Sequence, residues 1–222
     1  MKSQERGDHR VVHLDRKQIR TLAHPLRVRL LGALRADGPA TATKLAQVLG
    51  TNTGATSYHL RQLADAGLVV EEPDRATGRQ RWWRAAHDSS SWRSGDFDDD
   101  PDASAASDWV QGYGLRFMTE EADHWLAARR SYPDAWRDAA DFSDFLLELA
   151  PQRLRALNDE LHAVVERYRQ APPPSDGDTE QVLVLLAGFP RIADARAADA
   201  RAAGARAAKR GDRMTERTGE TA

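Results

Sequence analysis

Residues 41–69 read TATKLAQVLGTNTGATSYHLRQLADAGLV, and this stretch decides the fold. Thr41 is an N-cap candidate, because a threonine hydroxyl can accept from an otherwise orphaned amide in the first helical turn. Leu45, Val48 and Leu49 recur at helical spacing as one apolar side. Gly50 suits the left-handed position that closes a helix. A second helical segment follows and ends at Gly67, with Leu60, Leu63 and Ala64 on one face. Two short helices separated by a few residues are therefore expected here.

The flanking sequence extends the pattern. Upstream, Ile19 and Leu22 predict a short helix that stops before Pro25, since the residue before proline disfavours helical angles. Pro25 then opens another helix, carrying Leu26, Leu30, Leu31 and Leu34, that ends at Gly38-Pro39. Downstream, Val69 and Val70 predict a strand, PDRATG a turn, and RQRWWRA a return strand. Trp82 and Trp83 are adjacent, so they point to opposite faces, and Trp83 is expected in the core. The order helix, helix, helix, turn, helix, hairpin is that of a winged helix-turn-helix over residues 1–87.

In a helix-turn-helix the second helix enters the DNA major groove with its N-terminus leading, so that end should be small and polar. Thr51, Asn52, Thr53, Thr56, Ser57 and Tyr58 meet that demand, and Arg61 can reach phosphate or guanine. The same Thr/Ser/Asn cluster also suits ordinary helix capping. The hairpin adds Arg75, Arg79, Gln80 and Arg81, a set suited to the sugar-phosphate backbone or the minor groove. Such arginines alone are also what a solvated turn carries.

Charge points the same way. The net charge of −2 divides into +7 over residues 1–87 and −9 over residues 88–222. A basic half suits a polyanion partner.

Taken together, LAHPLRVRLLGAL, TATKLAQVLG, TGATSYHLRQLADAGLV and GRQRWWRAA resemble the ArsR-like winged-helix regulators over residues 14–87. SDFLLELAPQRLRALNDELHAVVERY followed by VLVLLAGFP resembles the C-terminal region of a subgroup of them. The resemblance implies a homodimer on a pseudo-palindromic double-stranded operator, usually as a repressor. Metal-sensing members use cysteine pairs or His/Asp/Glu sets, and this chain has no cysteine. His9 and His13, four residues apart, are the nearest approach to a ligand pair, and no metal or other cofactor is expected. His59 matches the histidine usual in the family's second helix, where it packs rather than reads bases.

The remainder reads as three segments. Residues 88–107, polar and acidic, are expected to be a flexible linker. Residues 108–189 are expected to form a helical or α+β region for dimerisation or effector sensing. Within it DFSDFLLELA (141–150) and EQVLVLLAGFP (180–190) are strand candidates on either side of a helix at 151–170 with an apolar stripe. Residues 190–222, rich in Ala and Arg, are expected to be a tail that is disordered or a frayed helix. The fold class is thus mainly α with small β, an N-terminal winged helix-turn-helix followed by an α+β region.

Six tryptophans leave room for a pocket taking a small hydrophobic or aromatic effector. No phosphate-binding glycine loop, GxSxG or HExxH occurs, so no enzyme and no catalytic residue is expected. No apolar run approaches a membrane span, and the polar start lacks a signal-peptide core, so a cytoplasmic, nucleoid-associated protein is expected. The competing reading is a winged helix used as a protein–protein interaction module without specific DNA binding.

Overall fold

The computed structural model describes residues 10–73, 80–172 and 179–192. The chain divides into two compact units, residues 1–143 and 144–222.

The first unit begins with β1 (Val11–His13), α1 (Arg16–Leu22) and α2 (Pro25–Ala36). Asp15 starts α1 with a capping box. Its Oδ1 accepts from the Gln18 amide at 2.8 Å, and Gln18 Oε1 accepts from the Asp15 amide at 3.1 Å. Pro25 stands in the first turn of α2, as its fixed φ favours. Then come β2 (Ala40–Thr41), α3 (Ala42–Val48) and α4 (Thr53–Asp65). The hairpin strands are β3 (Val69–Glu71) and β4 (Trp82–Ala85). The sheet order is β2-β4-β3, all antiparallel, so β4 is central.

The apolar stripes read from the sequence converge on one core. Leu30, Leu31 and Leu34 of α2, Leu45 of α3, and Leu60 and Leu63 of α4 are all buried with Leu68, Val69 and Trp83. Trp83 is buried as expected, and Trp82 is half-buried. Val48 is a correction. It is 59% exposed, and Ala46 takes the inward position, because the seven residues of α3 turn Leu45, Ala46 and Leu49 toward the core.

Residues 88–107 are the larger correction, for they are no flexible linker. Ser89–Ser91 form β5, parallel to β1 with Val11 opposite Ser89. A 3-10 turn at Ser94–Phe97 follows, and α5 runs from Pro101 to Ala128. Phe97, Ala103 and Ala106 join the core, with Leu14, Ile19 and Leu22 of the α1 region in the same cluster. Small alanines let α5 approach α1 closely. Trp92 Nε1 donates to Ser107 Oγ at 2.8 Å, tying the segment down once more. The acidic residues that suggested solvation are engaged. Asp99 pairs with Arg16 at 2.6 Å, Asp100 pairs with Arg20 and caps α5, and Asp96 pairs with His13 Nε2 at 2.9 Å. A 3-10 turn (Arg129–Ser131) and α6 (Asp134–Ala139) complete the described secondary structure of this unit.

The charge division changes with the boundary. Unit 1 carries 20 Lys/Arg against 21 Asp/Glu, and unit 2 carries 12 against 13. The basic balance of residues 1–87 belongs to one part of unit 1, not to a separate domain.

Unit 2 contains α7 (Pro151–Gln170), begun by Pro151 in its first turn. Chain near Gly188 returns to it, since a Cβ on Gly188 would lie 2.9 Å from Asn158 Oδ1 and 3.4 Å from Leu154 Cδ1. The strands expected over 141–150 and 180–190 are not formed, and both segments are irregular. A strand is defined by its partner's hydrogen bonds, and the described part of the single chain supplies none to either segment. The tail expected over 190–222 lies outside the described residues beyond Ile192.

Candidate nucleic-acid interface

The geometry of the α3–α4 pair follows from its caps. Thr41 Oγ1 accepts from the Lys44 amide at 3.2 Å to start α3, and Asn52 Oδ1 accepts from the Ala55 amide at 2.8 Å to start α4. Gly50 closes α3 at φ 63°, and Gly67 closes α4 at φ 71°. At both ends the amide after the glycine reaches back into the last helical turn. Thr51 donates to Ala46 O and Leu68 to Leu63 O, each at 2.9 Å. With Leu60 and Leu63 turned inward, the N-terminal half of α4 presents its polar side outward.

That side carries most of the predicted residues. Asn52, Thr53, Tyr58 and Arg61 are exposed, Tyr58 at 51%, and Thr51 and Ser57 are half-buried. Thr56 is a correction. It is fully buried and its hydroxyl donates to Asn52 O at 3.0 Å, so it locks the first turn of α4 and reads nothing outside it. Asn52 spends its Oδ1 on the cap but keeps its amide NH2 for a partner.

The wing is partly described. Arg75 and Arg79 lie outside the described residues, whereas Gln80 and Arg81 are exposed at the foot of the hairpin. Arg81 Nη1 donates to Glu71 Oε1 across the hairpin at 2.7 Å. This pair holds the guanidinium at the sheet edge and offsets part of its charge. Arg35 braces the other end of β4, donating to His87 O at 3.1 Å and Ser90 Oγ at 2.8 Å.

Sequence reasoning missed a second set of cations beside α4. Lys17, Arg20, Thr21, Arg27 and Gln62 line a shallow cleft formed by α1, α2 and α4. Arg27 donates to Thr21 O, Lys17 donates to Asp65 O, and Tyr58 is an electrostatic neighbour of Arg27. The only signal available was Arg27 in HPLR, three residues after the junction histidine.

His24 and His59 meet at the base of this surface. Their ring centroids are 4.3 Å apart, and Tyr58 packs edge-on against His59 at 5.1 Å. His24 Nδ1 accepts from the Leu26 amide at 3.1 Å, so it caps α2 with a neutral ring's lone pair. Burial, reinforced by Arg27, pushes the pKa of His24 down. Burial also lowers that of His59, with His24 and Arg27 adding to the effect. His87 is lowered by burial too, with smaller contributions from Arg10 and Arg35. A histidine depressed in the folded state gives stability that is whole above its unfolded value of about 6.5. That stability falls as the pH drops below about 6.5 and levels off once the folded value is passed. Urea midpoints are therefore expected to fall between pH 7.5 and pH 5, and less so in the His24→Gln, His59→Gln double variant. A wild-type midpoint flat over that range would contradict the assignment of neutral rings.

Among the described residues no group of three or more His, Asp or Glu is placed to hold a metal ion. His13 pairs with Asp96 instead, and His9 lies outside the described residues. No described helix is long and apolar enough to cross a membrane.

A helix-turn-helix domain family model matches residues 22–72. The homodimeric winged helix-turn-helix DNA-binding domain (fragment 1–100) of a possible ArsR-family regulator from Mycobacterium bovis is 21% identical. It covers 47% of this chain and 76% of its own, with a TM-score of 0.29. A possible transcriptional regulator for arsenical resistance is 29% identical over 50% of this chain and 94% of its own, TM-score 0.28. Wild-type MarR from E. coli is 17% identical over 68% of this chain and 87% of its own, TM-score 0.28. No curated protein matches the chain. Residues 22–72 are thus a helix-turn-helix domain, and the β2-β4-β3 sheet beside them makes the N-terminal part of this chain a winged helix-turn-helix.

Proposed function

We propose that this chain is a sequence-specific DNA-binding transcriptional regulator acting as a homodimer, a repressor on a pseudo-palindromic operator. One observation carries the reading. Helix α4 is anchored by Leu60 and Leu63 while Thr53, Tyr58 and Arg61 face outward, directly before a hairpin whose foot bears Gln80 and Arg81. In this arrangement α4 lies in the major groove, with Asn52, Thr53, Ser57, Tyr58 and Arg61 at base edges and phosphates. The wing residues Arg75, Arg79, Gln80 and Arg81 follow the backbone or enter the minor groove. Arg27 and Lys17 extend the phosphate-facing surface beside α4.

Selection of duplex DNA from a random pool by the full chain, at two salt concentrations, tests this reading. A recovered inverted repeat whose binding weakens steeply with salt supports it, because neutralised phosphates release counterions. No enrichment at either salt would favour the interaction-module reading. For the wing, Arg79→Ala with Arg81→Ala is expected to weaken binding to all sequences. The salt slope should fall by about 2, roughly one for each phosphate that is no longer neutralised. An unchanged slope would remove the wing from the interface.

A further inference from the structure

We propose that the C-terminal unit is completed by a second copy of itself, its segments 144–150 and 180–190 pairing with those of the partner in an intermolecular β-sheet. This rests on the homodimer reading above and locates its interface.

The first ground is exposed apolar surface. No described residue of unit 2 is buried, although its flanking segments are as apolar as core strands. Phe145 is 81% exposed, Leu146 74%, Val182 67% and Phe189 72%, with Leu147, Leu183 and Val184 above half. Together with their neighbours these side chains leave on the order of 1,000 Å² of apolar area open along two short segments, where the largest contiguous apolar patch of a typical monomer is a few hundred Å².

The second ground is the backbone. No hydrogen bond is made by the main-chain groups of residues 144–149 or 181–190 among the described residues. Whatever covers the side chains also strips water from these N–H and C=O groups, each of which then needs a new partner. A helix face or a small apolar molecule cannot provide that row of donors and acceptors. A strand can, and the chain's own strand-like segments are of this kind.

The third ground is the pattern. Val182-Leu183-Val184-Leu185-Leu186 and Phe145-Leu146-Leu147 run without polar alternation, which is the mark of strands covered on both faces. Among the described residues of unit 2 there is one helix, α7, whose stripe of Leu154, Leu157, Leu161, Val165 and Tyr168 can cover one face. The other face requires a second layer, and a second copy brings an identical one. Charge permits it: unit 2 has 12 Lys/Arg against 13 Asp/Glu, so self-association meets no single-sign field and no oppositely charged partner is needed. Two copies would bury about 2,000 Å², the range of obligate homodimers.

The test uses the full chain without DNA. Because there is no cysteine, Glu180→Cys can be spin-labelled at one position only. Sedimentation is expected to give a dimer. Pulsed dipolar spectroscopy is expected to give an intermolecular distance under about 30 Å, since four strands spaced about 4.8 Å apart hold the labels close. Val184→Asp is expected to weaken self-association at least tenfold, whereas Leu126→Asp, an exposed position on α5 of unit 1, leaves it intact. A monomeric wild type at tens of micromolar would overturn the proposal. So would a dimer broken by Leu126→Asp but not by Val184→Asp. If Val184→Asp fails to fold, the label distance decides: a dimer with no short distance also refutes the shared sheet. A monomer that still selects DNA removes this interface and leaves the regulator reading. A dimer with the short distance that selects no DNA does the reverse.

Discussion

Phe97→Ala is expected to destabilise the N-terminal unit by about 3–5 kcal/mol, the usual cost of emptying a buried aromatic site. Phe97 is 2% exposed and shares the core cluster with Leu14, Ile19, Leu22, Ala103 and Ala106. Its ring is the most deeply buried side chain in the segment between β5 and α5. The cavity left by alanine cannot collapse easily, because the first turns of α5 are held by the Asp100 cap and the Trp92–Ser107 hydrogen bond. Urea unfolding followed by tryptophan fluorescence measures the loss. Had residues 88–107 been a solvated connector, the same substitution would move stability by no more than about 0.5 kcal/mol, as at other surface positions. A loss that small would refute the docking of α5. Asp99→Ala, whose ion pair with Arg16 is half-exposed on both sides, is the contrasting control and should cost at most about 1 kcal/mol.

Leu60→Ala is expected to cost about 3–4 kcal/mol, near the middle of the range for buried leucines. Leu60 is fully buried on the inner face of α4, which packs against α2, α3 and β3. It is also the anchor that turns Tyr58 and Arg61 outward, so the loss of packing reaches the outward-facing residues directly. Leu60→Met, which conserves volume, should cost less than about 1.5 kcal/mol. The two variants therefore separate anchoring from the identity of the residue. If alanine and methionine cost the same, α4 is not anchored at this position.

Much of the N-terminal fold was legible because it is written in local rules. Pro25, Gly38, Gly50 and Gly67 punctuate the helices, and each of the three glycines takes a positive φ. Thr41 and Asn52 accept from amides three residues on, as small polar caps do. The leucines at helical spacing became the core. The polar strip of α4 was legible for the same reason, with the exception of Thr56. A threonine in the first turn of a helix reads alike whether its hydroxyl faces outward or bonds to the main chain. Only its 0% exposure decided between these.

The larger misreadings share one cause, which is that composition does not report a partner distant in sequence. Asp96, Asp99 and Asp100 looked like solvated charge, yet their counter-charges His13, Arg16 and Arg20 lie about 80 residues upstream. The His24–His59 ring contact and the Arg27–Tyr58 neighbourhood likewise join α2 to α4 across some 30 residues. In unit 2 the relation is reversed. The strand pattern is plain in residues 180–190, but strands exist only as pairs, and no described residue of the chain pairs with them.

By itself, then, the sequence determined the boundaries of the helices over residues 16–65, the hairpin and most of their apolar faces, because caps, turns and periodicity act within a few residues. Tertiary structure alone decided that β5 and α5 belong to the N-terminal unit, which hydroxyls face outward, and where the acidic residues are neutralised. Those outcomes depend on interactions whose free energy arises only when distant segments meet.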